Sequence, residues 1–178
     1  MPLPYTREIE IVSLLSSPQH RYDGRPADGP RDAVVRELHD SIAIRAHLGV
    51  VGDRYFGQRA HVTASVTIMA IESIEHVQRS LGIRDPLDPA DTRRNIITRG
   101  LPIDELRGQD FELGGVLFRA HRPANPCAWM DVTLAAGAFR ALKGRGGMRC
   151  EPLSDGTLAV GGAVLRTAIP LDAPVPLF

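Results

Sequence analysis

The residues of greatest chemical interest are one cysteine and a scattered set of arginines. Cys127 lies in Arg122-Pro-Ala-Asn-Pro-Cys127-Ala-Trp-Met130, a stretch that also holds the only tryptophan and two prolines. Pro126 fixes its own φ at about −65° and pushes Asn125 towards extended backbone, so Cys127 leaves a rigid turn. The apolar run Val116-Leu-Phe118 precedes it, and a helix is expected from Trp129 to Leu142. A thiol at such a strand-to-helix junction meets free backbone N–H groups and the positive end of a helix dipole. Both favour the thiolate, which is the nucleophilic and metal-binding form. The alternative is a small buried hydrophobe, the usual fate of a free cysteine.

Two cationic segments accompany it. Thr92-Arg93-Arg94-Asn95 sets two guanidinium groups side by side. On an extended strand they point to opposite faces, so one of them joins a given pocket, where its planar fork suits a phosphate or carboxylate. A solvated strand edge is the competing reading. Lys143-Gly-Arg145-Gly-Gly147 combines two cations with glycines whose N–H groups are free for an anion, yet it lacks the GxxxxGK[ST] form of a nucleotide loop. Gly52-Asp-Arg-Tyr-Phe-Gly57 is either a polar turn or one that lets backbone approach a ligand. The six histidines never pair at metal-ligand spacing, and neither CxxC nor GxSxG occurs. Zinc-site and serine-hydrolase readings therefore fall away. A reactive cysteine with an anion-binding set remains.

The elements that must position these residues are short and mostly β. Glu8–Leu15 alternates and then turns apolar, as a first strand does. Residues 16–32, rich in Pro, Gly, Asp and Arg, form either an ordered arm or a flexible excursion. Ala33–Asp40 is a short helix or strand, Ser41–His47 and Val62–Ala70 read as strands, and Ile71–Leu81 as a helix closed by Gly82. A strand is expected over Thr92–Gly100 and a helical turn or tight loop at Leu101–Leu106. Next come a hairpin turning at Gly114-Gly115, a strand around Cys150, a hairpin turn at Ser154–Thr157, and final strands near 158–160 and 163–165. Cys150 is either a resolving thiol for Cys127 or a core residue.

With 178 residues, 17 Gly, 14 Pro and 5% aromatics, the chain is expected to form a single domain over 1–178, its core spanning about 8–166 and its tail 167–178. Zero formal net charge argues against a nucleic-acid partner. Two cysteines are too few for a secreted disulfide framework. The absence of an apolar span or signal peptide gives the expectation of a soluble, cytoplasmic protein without membrane contact.

Taken in order, several segments resemble the MOSC domain, the C-terminal domain of molybdenum cofactor sulfurases. They are Gly52–Gly57, Val66-Thr-Ile-Met-Ala-Ile-Glu72, Thr92-Arg-Arg-Asn-Ile-Ile-Thr-Arg-Gly100, Leu106-Arg-Gly-Gln-Asp-Phe-Glu-Leu-Gly114, Asn125-Pro-Cys127, Leu142-Lys-Gly-Arg-Gly-Gly-Met-Arg149 and Leu158-Ala-Val-Gly161. The resemblance implies a mainly β fold, a MOSC-type barrel with a few flanking helices. It also makes Cys127 the signature residue, carrying sulfur as a persulfide or binding molybdenum through its thiolate if the cofactor is present. Arg93, Arg94 and Asn95 match the segment near the pterin-phosphate site in the amidoxime-reducing members, and of these Arg94 and Asn95 are carried over as candidate cofactor-binding residues. Lys143 and Arg145 join them as candidate cofactor-binding residues on physical grounds.

The chain is expected to be the short, stand-alone form, without the N-terminal domain that helps enclose the pterin in better-understood members. Sulfur carriage or transfer, independent of pyridoxal phosphate, therefore ranks slightly ahead of a molybdenum-cofactor-dependent reductase of N-hydroxylated compounds. A non-catalytic anion- or cofactor-binding module stands third. The implied partners are a cysteine desulfurase or a molybdoenzyme, with a homodimer as a further option.

Overall fold

The computed structural model describes residues 2–33 and 35–171. The last part of the expected tail, from 172 onward, lies outside them. The strands are β1 (Tyr5–Leu15), β2 (Leu38–His39), β3 (Ser41–Arg45), β4 (Gly49–Val50), β5 (Val66–Ala70), β6 (Ile96–Arg99), β7 (Asp110–Leu113), β8 (Val116–Pro123), β9 (Met148–Pro152), β10 (Gly156–Ala159) and β11 (Gly161–Thr167). Among the described residues three α-helices flank them, α1 (Ile71–Leu81), α2 (Trp129–Thr133) and α3 (Ala138–Ala141). The main sheet runs β11-β7-β8-β9-β5-β6-β1, and β1 pairs with β11 to close it into a seven-stranded barrel. Closure removes the free edges that an open sheet would expose. A small sheet, β10-β3-β4, lies beside it. The expected mainly β barrel with few helices is thus the observed fold.

Burial explains which strands alternate. In β1, Ile9 and Ile11 face the barrel interior while Glu8 and Glu10 face water, giving the period of two. A register shift between Ile11 and Ser13 then bends the strand. At the shift Val12 packs against an outer apolar layer, and beyond it Leu14 packs in the barrel, so both faces are covered. Strand β5 is buried throughout because it is central. Val66 and Ile68 fill the barrel, and Met69 meets the outer layer formed by α1, α2 and α3. Strands β5 and β6 form a parallel pair joined through α1, a crossover that needs a helix of this length. Gly82, in the left-handed region at φ 66°, ends α1 by donating to Arg79 and Gln78 carbonyls.

Four expectations change. The helix expected over 129–142 is two short ones, because Gly137 at φ 93° breaks it and Asp131 captures the Phe139 N–H at 2.7 Å. Residues 59–64 form a 3-10 turn, which delays β5 to Val66. The Thr92–Asn95 segment is no strand: Pro89–Thr92 is a 3-10 turn and Arg93 has φ 58°. Ser154–Thr157 does not close a hairpin, since β10 pairs with β3 rather than β9. By contrast, Gly114 and Gly115, at φ 56° and 84°, make the two-residue turn between Leu113 and Val116. Among the described residues no helix is long and apolar enough to cross a membrane.

Candidate functional site

A cavity of about 140 Å³ opens where six separate segments meet. Its wall is made by His20, Arg21 and Tyr22 of the 16–32 arm, Arg54 and Tyr55, Thr67, Thr92 to Arg94, Asn125 to Cys127, Met130 and Arg149. Cys127 is exposed there, whereas Cys150 is buried in the barrel interior. Both thiols are free, and burial pushes that of Cys150 well above its usual range.

The loop that presents Cys127 is held from behind. Ala124 donates to the Gly147 carbonyl at 2.7 Å. Arg94 donates from Nη2 to the Ala124 carbonyl at 2.7 Å and from Nε to the Gly146 carbonyl at 2.9 Å. One guanidinium therefore ties the cysteine loop to the glycine loop. The glycines are required by contact: a Cβ on Gly146 would sit 2.2 Å from the Ala124 oxygen, and one on Gly147, at φ 81°, 2.2 Å from the Ile68 oxygen. In this structure the glycine loop is thus a packing surface for backbone. Lys143 and Arg145 are exposed on it and lie outside the cavity wall. Arg145 acts electrostatically on His76 and Asp104 instead.

Asn95 is buried and fully engaged with protein. Its Oδ1 accepts from the Thr67 N–H and hydroxyl at 2.9 Å, and its Nδ2 donates to the Leu15 carbonyl and to Asp53 at 3.1 Å. Asp53 also accepts from the Ser17 and Tyr55 N–H groups. This buried junction fixes the 52–57 turn, which in turn aims Arg54 and Tyr55 at the cavity. Asn95 is a scaffold for the wall and is absent from the wall itself.

The two adjacent arginines diverge because Arg93 adopts a left-handed backbone, an uncommon state for a non-glycine residue. Its side chain, 7% exposed, forms a bidentate pair with Glu37 at 2.7 and 2.8 Å. Arg21 meets the same carboxylate at 3.1 Å. Burial opposes ionisation of Glu37, but hydrogen bonds from Arg93, Ser17 and Arg21, with the Arg93 charge, hold it at about 2. Burial, then Arg149 and Arg54, lower Arg94 to about 10, partly opposed by Cys127 and Tyr55; it remains cationic at neutral pH. Burial and the Arg54 charge lower His20 below its ordinary 6.5.

The arm packs onto the body beside this site. Tyr22 stacks on Trp129 with ring centres 5.1 Å apart, and its hydroxyl donates to the Asp91 carbonyl at 2.5 Å. Of the sequence candidates, the structure thus brings Cys127 and Arg94 together. It puts Asn95 one layer behind them and Lys143 and Arg145 outside. His20, Tyr22, Arg54, Tyr55 and Arg149 are additions. The 52–57 turn was the signal for Arg54 and Tyr55, and alternation along β9, with Met148 and Cys150 buried, turns Arg149 to the opposite face. Nothing local marked His20 or Tyr22.

Residues 45–165 match the family described as MOSC domain. The YUAD protein from Bacillus subtilis has a similar structure, with a TM-score of 0.70 and 15% identity over 93% of this chain and 99% of that one. YiiM from Escherichia coli gives a TM-score of 0.59 and 16% identity, over 92% and 72% of the two chains. YiiM from Geobacillus stearothermophilus gives 0.59 and 15%, over 89% and 74%. At such identities the likeness is one of fold. No curated protein matches the sequence.

Proposed function

This chain belongs to the MOSC domain family, and on that premise we propose that it handles sulfur, with Cys127 taking up sulfane sulfur as a persulfide and passing it on. The observation that carries the reading is the contrast between its two thiols: Cys127 stands exposed at a cavity lined by guanidinium groups, and Cys150 is sealed in the core. The donor in this reading is a protein persulfide such as that of a cysteine desulfurase. After the Cys127 proton passes to solvent, the Cys127 sulfur attacks the outer sulfur of the donor. A new S–S bond forms at Cys127, the donor's S–S bond breaks, and its electron pair leaves with the donor cysteine as thiolate. No external oxidant or reductant enters.

The family is associated with the molybdenum cofactor. The guanidinium groups suit its phosphate, but a cavity of about 140 Å³ is well below the roughly 300–1,000 Å³ of pockets that enclose cofactor-sized ligands. The pterin would lie uncovered, so the site does not fit the whole group and the reading does not pass through it.

The test is intact-mass measurement after the purified chain reacts with a cysteine desulfurase and cysteine. The expected result is a gain of one sulfur, lost in Cys127→Ser. An unshifted mass, or a shift that survives the substitution, rejects the reading.

A further inference from the structure

Among the described residues five arginines line the cavity and no carboxylate does. Three of them have firm partners. Arg21 and Arg93 share Glu37, and Arg94 is committed to the backbone carbonyls of Thr92, Ala124 and Gly146. Arg54 and Arg149 are left. Arg54 has only a 3.5 Å contact with Asp53 and a position over the Tyr55 ring, and its Nε is buried without a hydrogen-bond partner among the described residues. Arg149 makes no side-chain hydrogen bond or ion pair among the described residues. Two planar donor forks with unfilled capacity, in a wall whose described residues include no carboxylate, form a site for a compact oxyanion.

Size narrows the class. A cavity of about 140 Å³ is well below the roughly 300–1,000 Å³ of pockets that enclose drug-sized ligands, so it suits a compact one. A tetrahedral dianion matches such a space better than a nucleotide or an extended organic acid does. The sulfur of Cys127 lies in the same wall, so the anion that gains most from this arrangement carries a transferable sulfur of its own.

We propose that the cavity binds thiosulfate or a close inorganic sulfane oxyanion, held by Arg54 and Arg149, as a direct sulfur donor to Cys127. This rests on the sulfur-handling reading above and assigns its small-molecule substrate class. After the Cys127 proton passes to solvent, its sulfur attacks the outer sulfur of thiosulfate. The Cys127–sulfur bond forms, the S–S bond of thiosulfate breaks, and the bonding pair leaves on sulfite. Three negative charges stand on each side of the step, with no added oxidant or reductant. Arg54 and Arg149 hold the oxygens before and after, and Arg94 keeps the cysteine loop in register from behind.

The experiment incubates the full chain with thiosulfate and follows intact mass and released sulfite together. Expected are one sulfur gained on Cys127 and one sulfite released per chain loaded. Arg149→Gln is expected to raise the half-saturating thiosulfate concentration about tenfold or more, the loss of a charge-assisted hydrogen bond. Arg145→Gln, on the exposed loop outside the wall, leaves it unchanged. Sulfate, which has the shape without the transferable sulfur, is expected to compete beyond the effect of chloride at equal ionic strength. This arm uses the unaltered chain and stands even if a variant fails to fold. Loading by a desulfurase but not by thiosulfate overturns this inference and leaves the wider function intact; loading by neither overturns both. Loading by thiosulfate that ignores Arg149→Gln and sulfate overturns the arginine site.

Discussion

At the residue scale the decisive feature is how the arginines divide their partners. Glu37 gathers Arg93 and Arg21 and so leaves other guanidinium groups for the cavity. Removing one member of such a pair strands the rest: Arg93 is 7% exposed, and Glu37→Gln is expected to cost about 3 kcal/mol. The pH dependence has a definite sign. Glu37 titrates at about 2 in the folded protein against its ordinary 4.5, so its contribution is complete above 4.5 and lost as pH falls towards 2. The stability gap between the natural chain and Glu37→Gln should therefore be widest near neutrality and close through that acid window. Urea titrations at several pH values check it, and a gap independent of pH would show that Glu37 is not held ionised by these partners.

At the element scale the 16–32 arm is the part that a helix-and-strand description leaves out. It carries three of the residues lining the cavity and packs through the stack of Tyr22 on Trp129. Tyr22→Ala removes that stack and the bond to the Asp91 carbonyl, at an expected cost of about 2 kcal/mol. Because Trp129 is the only tryptophan, its emission should shift to the red as water reaches it, and proteolysis within the arm should accelerate. Tyr22→Phe keeps the ring and should retain most of both signals. Unchanged Trp129 emission in Tyr22→Ala would mean that the arm is held by other contacts.

At the scale of the whole molecule, barrel closure separates the two cysteines chemically. Cys150 sits on β9 with its side chain in the interior formed by all seven strands, and Cys127 stands outside that wall. A small alkylating reagent should therefore modify one thiol per native chain, at Cys127, and the second only at the rate of unfolding. Peptide mapping under native and denaturing conditions distinguishes the sites. Equal modification of Cys150 in the native state would indicate an open barrel.

Much of this organisation was legible in the residues. The alternation of Ile9 and Ile11, the Gly114-Gly115 turn, the apolar stripe of α1 with its Gly82 cap, and the rigid proline turn before Cys127 depend on interactions within a few positions. The order of motifs identified the family and with it the barrel. The destination of each cation was not legible. Arg93 finds a carboxylate 56 positions away, and Arg94 reaches carbonyls 52 and 30 positions away. Those partners depend on strand order, on the left-handed turn at Arg93 and on the path of the arm. Lys143 and Arg145 carry the same charge as Arg54 and Arg149. Only the packing of Gly146 and Gly147 against neighbouring backbone, and the face of β9 that looks outward, decide which of them line the cavity. Local chemistry determined what the residues can do; the closed sheet determined which of them do it together.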